Sequence, residues 1–489
     1  MTFIAGNATS FPSVPAPAYD RSRVTTGIVH FGLGNFHRAH QAMFIDGLMT
    51  AGQAYDWGIC GVGVLPGDIR MRDVLRAQDF LYTLVLKHGD GSLEPRVIGS
   101  IHDYLFAPDD PEAVIAKLAA PTTRIVSLTV TEGGYNVERT TGEFDVTNPA
   151  VLRDAATPRA PLTVFGLIVE GLARRRSAGV PPFTVMSCDN LPGNGHVAKR
   201  AIVTYATLVD ADLARWIAKE VAFPNSMVDR ITPVTTDEDR AMVKREFGIN
   251  DGWPVVAEPF VQWAVEDRFT LGRPAYENVG VQVVDDVEPY ELMKLRLLNA
   301  SHQGMAYFGT LLGHTYAHEA AGNPLIAAYL RRYMDDEVRP TLQPVPGIDL
   351  DDYIASLFER FTNPHVADTL ARLCVDSSDR IPKFVLPTIR ANLASGGPVA
   401  LGAALVASWA RYVEGTSESG RQITVVDELR DELVPLALQQ HDAPTTFIEY
   451  GPVFDDLAAE ERFRDAYTAA LEGLHRNGSS AVLASLLGR

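Results

Sequence analysis

A lysine, an asparagine, a histidine and a glutamate gather along one apolar stretch, Glu291-Leu-Met-Lys294-Leu-Arg-Leu-Leu-Asn299-Ala-Ser-His302. The stretch reads as the opening of a helix, since Asp285 and Asp286 are candidate caps and Pro289 suits a first turn. On an α-helical wheel of about 100° per residue with Lys294 at zero, Glu291 falls near ~60°, His302 near ~80° and Asn299 near ~140°. Leu298 and Met305 point the same way, so the polar groups would enter a pocket with apolar walls. A lysine there loses solvation, which disfavours its charged form and makes it a candidate general base. The amide and the imidazole are candidate donors to an oxygen that gains charge. A solvated helix face with incidental polar residues is the alternative.

These groups need a scaffold, and the chain is long enough for two domains. It has 489 residues, 46% hydrophobic and 21% charged, a globular profile. With 61 acidic against 43 basic residues the formal charge is -18, which repels phosphate backbones and anionic lipid. Nucleic acid and membrane partners are therefore not expected. Cys60, Cys188 and Cys374 are scattered, without metal-ligand spacing; Cys60 and Cys188 read as buried free thiols, which suggests a reducing compartment. No secretory signal is visible at the start, and a cytoplasmic location is expected.

Residues 1–23 read as an extended arm over the first domain. Gly27-Ile-Val-His-Phe31-Gly32-Leu-Gly34-Asn35-Phe36-His37-Arg38-Ala-His40 then runs from an apolar strand through Gly-x-Gly into a helical pattern, the opening of a dinucleotide-binding unit. Gly32 would permit the tight turn and Gly34 the close approach of a pyrophosphate; His37 stands where the third glycine would be. Arg38 is placed for a phosphate. Flexible-turn glycines are the competing interpretation. A second strand, Trp57–Val64, precedes Asp68, whose carboxylate would accept from a ribose 2′-hydroxyl and repel a 2′-phosphate, unless it serves only the turn.

Further strands at Arg124–Thr131 and Phe183–Cys188 flank a helix at Leu162–Gly179, which argues for a mostly parallel sheet with ligands at the strand carboxyl ends. Glu132 and Asn190 lie at such ends, Asn190 also suiting an ordinary turn, and Asp229 follows in an apolar loop. Beyond residue 285 the pattern turns helical: Glu291–Leu312, Pro324–Glu337, Leu350–Phe361, Asn363–Val375, Ile381–Ser395, Val399–Glu414, Val426–Gln440 and Asp455–Leu474. The expected division is 1–285, an α/β dinucleotide-binding domain with its arm, and 286–489, an all-α domain.

Six ordered pieces together resemble the mannitol dehydrogenase family of long-chain polyol dehydrogenases. They are Gly32-x-Gly34-x-Phe36-His37-Arg38-Ala-His40, Thr129-Val-Thr131-Glu132-Gly-Gly-Tyr135, Ser187-Cys-Asp-Asn190-Leu, Phe223-Pro-Asn-x-Met-Val-Asp229-Arg-Ile-Thr-Pro, Trp253-Pro-Val-Val-x-Glu258-Pro-Phe and Lys294-x4-Asn299-x2-His302. The resemblance implies a Rossmann-type domain, a helical domain, an active site in the cleft between them, and metal-free chemistry. It implies NAD held by Phe31, Gly32, Gly34, Asn35, Phe36, Arg38, Asp68, Thr131 and Glu132. Lys294 would be the general base, Asn190 and Asn299 the oxyanion donors, His302 the substrate-orienting group and Glu291 the gate of a proton path. Asp229, Arg372 and Arg380 match positions that bind substrate hydroxyls. Arg380 departs from the usual lysine there, and Gly67 from the acidic residue often found before Asp68.

The implied activity is oxidation of D-mannitol, or a related polyol such as D-arabinitol, to the ketose by a monomer or weak oligomer. A hexuronate reductase of the same family is the alternative within it, two arginines being candidates to clamp a carboxylate. A non-catalytic NAD-binding sensor leaves the lysine face without a use. A methyltransferase shares the glycine turn and acidic residue but needs no basic lysine.

Overall fold

An apolar run shielded on both faces forms the central strand of the first unit, Thr26–Phe31, buried along its whole length. In the computed structural model, which describes residues 14–137 and 142–489 apart from the side chain of Glu132, the chain divides into two compact units. The break falls between Val287 and Glu288.

Five parallel strands make the main sheet of the first unit, in the order Ile101–Phe106, Gly58–Gly63, Thr26–Phe31, Ile125–Leu128, Thr184–Ser187. The chain enters at the centre, adds strands on one side, then crosses to the other. Phe31 therefore pairs with Val62 on one flank and Leu128 on the other, at the topological switch point where such sheets bind ligands. Helices pack on the sheet: Val164–Ser177 begins with Thr163 accepting from the Gly166 amide, and its apolar side, including Leu167, Ile168 and Leu172, enters the core.

The alternation signal missed seven strands of the described residues. Tyr82–Lys87 and Leu93–Ile98 form a hairpin whose small mixed sheet is completed by Val255–Ala257; Ile101–Phe106 is an edge of the main sheet. A third sheet joins Ser226–Asp229, Gln262–Glu266 and Gln282–Val284. Of the proposed arm, residues 1–13 lie outside the described residues. Val14 packs with Val85 and Val97, and the Pro15 carbonyl accepts from the Val97 amide at 2.8 Å.

The second unit is helical, its longest element Glu461–Leu486, kinked at Gly478. The helix expected over residues 363–375 is reduced to Leu370–Leu373. Asn363 accepts from the His365 amide in a local turn around Pro364, and Ala367 takes a positive φ, so the chain winds only after Thr369 supplies a cap. The helix expected from Val426 begins at Arg430. None of the described helices is long and apolar enough to cross a membrane.

Candidate active site

Gly32 ends the central strand at φ +88°, and a Cβ there would lie 2.0 Å from the Thr129 carbonyl oxygen, so the close pass of the two strand ends requires glycine. Gly34 differs: its Cβ would meet only the Gly32 carbonyl, at 3.9 Å, leaving its backbone open to a ligand. Around this turn lies a cavity of about 580 Å³, within the usual size of cofactor sites. Gly32, Gly34, Asn35, Asp68 and Thr131 line it, as do Val64, Leu65, Met71, Asn148, Phe165 and Trp253, which sequence reasoning did not assign to it. The apolar members can cover a planar ring; Val64 and Leu65 were signalled only by following a strand, while Met71 and Phe165 lie in helices and Trp253 precedes a strand.

Asp68 stands at the start of the helix Asp68–Ala77, and its Oδ2 accepts from the Val64 and Leu65 amides, both at 2.9 Å. It therefore serves its turn and lines the cavity at once. Thr131 holds a non-glycine positive φ of 65°. The restraint comes from Asp189, whose carboxylate accepts from the Thr131 amide at 2.8 Å, the Val130 amide at 3.1 Å and the Tyr135 hydroxyl at 2.7 Å. Asp189 was missed because its partners lie far off in sequence. It precedes Asn190, which is exposed at the end of Thr184–Ser187.

Three cofactor candidates point elsewhere. Phe31 is wholly buried, and Phe36 stacks on the His40 ring at 4.9 Å. Arg38, also wholly buried, donates to the Trp253 carbonyl at 2.6 Å and to Asn35 Oδ1 at 2.7 Å, its guanidinium over the Tyr82 ring. Burial lowers its pKa to about 10, so it stays charged as a core brace and does not line the cavity. Glu132 begins a short 3-10 turn; its side chain lies outside the described residues.

His37 fills the third glycine's place with a buried ring stacked on His30, centroids 3.4 Å apart. His30 is held by the Ser127 and Thr129 hydroxyls at 2.8 and 2.9 Å. Asp229 is buried at the end of its strand, paired in register with Gln262.

In the second unit the lysine stretch is not a plain α-helix. Glu288–Met293 is α-helical, Lys294–Asn299 winds as a π-helix with the Ala300 amide donating to the Leu295 carbonyl, and Ala300–Leu311 is α-helical again. This corrects the α-helical wheel. Hydrogen bonds that span five residues widen the turn, so Asn299 comes round to the side of Lys294 where the wheel sets it ~140° away. His302 follows one α-turn after Asn299. All three are nearly buried, 7–9% exposed, and Glu291 is half-buried. The His302 ring lies 4.9 Å from that of Phe361.

Gln303 and Tyr307, on the same helix, fix the segment that carries the two arginines: Gln303 donates to the Leu373 carbonyl at 3.3 Å and Tyr307 to the Ser377 hydroxyl at 2.6 Å. Arg380 donates to the Leu373 carbonyl at 2.9 Å. Exposed Arg372 forms a two-pronged pair with Asp368, at 2.6 and 2.5 Å.

Comparison with known proteins fits both units. A family model described as the mannitol dehydrogenase Rossmann domain matches residues 26–278, and one described as the mannitol dehydrogenase C-terminal domain matches residues 286–475. The chain is 46% identical over 476 residues to mannitol 2-dehydrogenase of Cereibacter sphaeroides, covering 97% of this chain and 99% of that one. A solved Pseudomonas fluorescens mannitol 2-dehydrogenase in ternary complex with NAD and D-mannitol matches with a TM-score of 0.88 at 46% identity, covering 98% of this chain and 97% of the other. A substrate-free D-sorbitol dehydrogenase matches with a TM-score of 0.90 at 38% identity, covering 96% and 98% of the two chains.

Proposed function

The chain belongs to the mannitol dehydrogenase family of NAD-dependent oxidoreductases acting on secondary alcohols, and on that premise we propose that it oxidises D-mannitol to D-fructose with a lysine as base and no metal. The observation that carries the reading is the π-helical turn, which sets Lys294 and Asn299 on one side of a nearly buried helix.

The cavity of the first unit suits the cofactor, because Gly34 offers open backbone and Asp68 a carboxylate beside it. NAD bound there supplies the hydride acceptor. Gly32, Gly34, Asn35, Asp68 and Thr131 are the residues assigned to hold it.

Neutral Lys294 takes the hydroxyl proton of the substrate as the carbon–hydrogen bond breaks, so negative charge on the oxygen is never fully developed. The Asn299 amide donates to that oxygen, and Asn190 is assigned the same role. His302 donates to a neighbouring hydroxyl and orients the chain of the substrate. Glu291, half-buried three residues before the base, passes the proton towards solvent. Asp229 and Arg380 bind further hydroxyls.

A polyol is favoured over a hexuronate by Arg372. Its charge is already matched by Asp368, which weakens the cationic clamp that a carboxylate substrate needs. The test is a screen of hexitols, pentitols, ketoses and hexuronates with NAD and NADP. D-Mannitol with NAD is expected to give the highest kcat/KM in oxidation; a hexuronate reduced more efficiently than any ketose would overturn the substrate assignment.

A further inference from the structure

We propose that Glu414, His441 and His475 form a zinc-binding site in the helical unit, one that takes no part in hydride transfer. Three separate segments meet there: Glu414 closes the helix Ala400–Val413, His441 lies in the turn after Arg430–Gln439, and His475 sits within Glu461–Leu486, just ahead of the kink at Gly478. One ligand atom from each lies within 4.8 Å of the other two.

Zinc takes nitrogen and oxygen ligands at about 2.0–2.2 Å, which puts tetrahedral ligand atoms roughly 3.3–3.5 Å apart. Glu414 Oε2 and His441 Nε2 stand 3.6 Å apart already. Glu414 Oε1 and His475 Nε2 are at 2.6 Å, a hydrogen bond that must open as the metal replaces the proton. The two imidazoles stack with centroids 4.1 Å apart, so one must turn to aim its lone pair inward. His441 can do so, being 56% exposed.

Two imidazoles and a carboxylate are a donor set that suits zinc. A cavity of about 360 Å³, lined by both histidines with Gln440 and Glu472, leaves room for a water as fourth ligand. Arg411, 3.1 Å from Glu414 Oε2, opposes a dication, so affinity should fall short of a four-ligand structural site. Zinc bound here would fasten three helical segments together and stabilise the folded unit.

The test is calorimetric titration of zinc into untagged, chelator-treated full-length enzyme, with unfolding midpoints taken alongside. Binding by the wild type with a raised midpoint is expected. His441→Ala removes an exposed ligand and should weaken binding about tenfold or more, leaving the metal-free midpoint and mannitol oxidation unchanged. His475→Gln keeps a donor to Glu414 in case alanine there unfolds the unit, and should weaken zinc equally. No zinc binding by the wild type, or wild-type affinity retained in either variant, overturns the proposal.

Discussion

Asn299 stands one turn along from Lys294 although it lies five positions further along the chain, because the helix between them is π-wound. A π-turn is less stable than the α-helix it interrupts and often marks a functional site. Here it brings an amide donor round to the side of an amine, the pair proposed above to act on the substrate oxygen. The flanking α-helical turns hold the wide turn from both ends.

The first prediction concerns that amine. Lys294→Ala should lower the rate of polyol oxidation by about three orders of magnitude or more while NADH still binds, since base and charge stabilisation vanish together. A variant within tenfold of wild type would rule out the assignment.

The proposed role of Asp68 in cofactor choice is open to test, since Asp68 also bonds the Val64 and Leu65 amides. Asp68→Asn keeps an acceptor for the turn and removes the charge, so its kcat/KM for NADP should rise relative to that for NAD with little change in stability. An unchanged ratio would leave Asp68 a turn residue.

The two glycines should behave differently on substitution. Gly32→Ala forces a Cβ against the Thr129 carbonyl at a positive φ and should lose about 1–3 kcal/mol of stability or more. Gly34→Ala has room and should fold normally, yet its added methyl should weaken NADH binding. Unfolding midpoints and NADH fluorescence titrations separate the two effects, and a Gly34→Ala variant that binds NADH normally would remove Gly34 from the site.

Much of this was legible in the sequence for a physical reason. A buried parallel strand running into Gly-x-Gly leaves a short-range pattern, and Lys294, Asn299 and His302 are recognisable as types. What failed depended on contacts distant in sequence. The π-turn leaves the apolar spacing of Leu295, Leu297 and Leu298 compatible with an ordinary helix. Arg38 looks available for a phosphate until Trp253 and Tyr82, far along the chain, enclose it. Asp189 looks like a turn residue until it is seen to hold the amides of Val130 and Thr131.

Acid should destabilise the first unit through its buried histidines. Burial lowers the His30 pKa to about 3, and burial, with the neighbouring His30, His40 and Arg38 charges, sets that of His37 well below the usual value. Unfolded histidine titrates near ~6.5, so below that pH the unfolded chain binds more protons and stability falls, by up to about 1.4 kcal/mol per pH unit for each group. Above that pH their contribution is complete. His37→Phe keeps a ring on His30 and should flatten the dependence of the urea midpoint between pH 6.5 and 5; an unchanged slope would exclude His37 as a cause.

The last prediction separates lysine from metal as the activating group. A zinc-dependent alcohol oxidation needs three protein ligands and an open fourth position at the reacting oxygen. The lysine stretch offers only His302 and Glu291 of the usual ligand types, and a dication beside Lys294 would keep that lysine's ammonium form from approaching the alcohol. With lysine as base the oxidation rate should rise with pH as the amine loses its proton, and it should survive prolonged dialysis against a strong chelator. Any zinc at Glu414, His441 and His475 would leave during the same dialysis, lowering the unfolding midpoint without altering kcat. A rate that falls with the chelator and returns on adding zinc would instead place a metal at the reacting alcohol and remove the base role from Lys294.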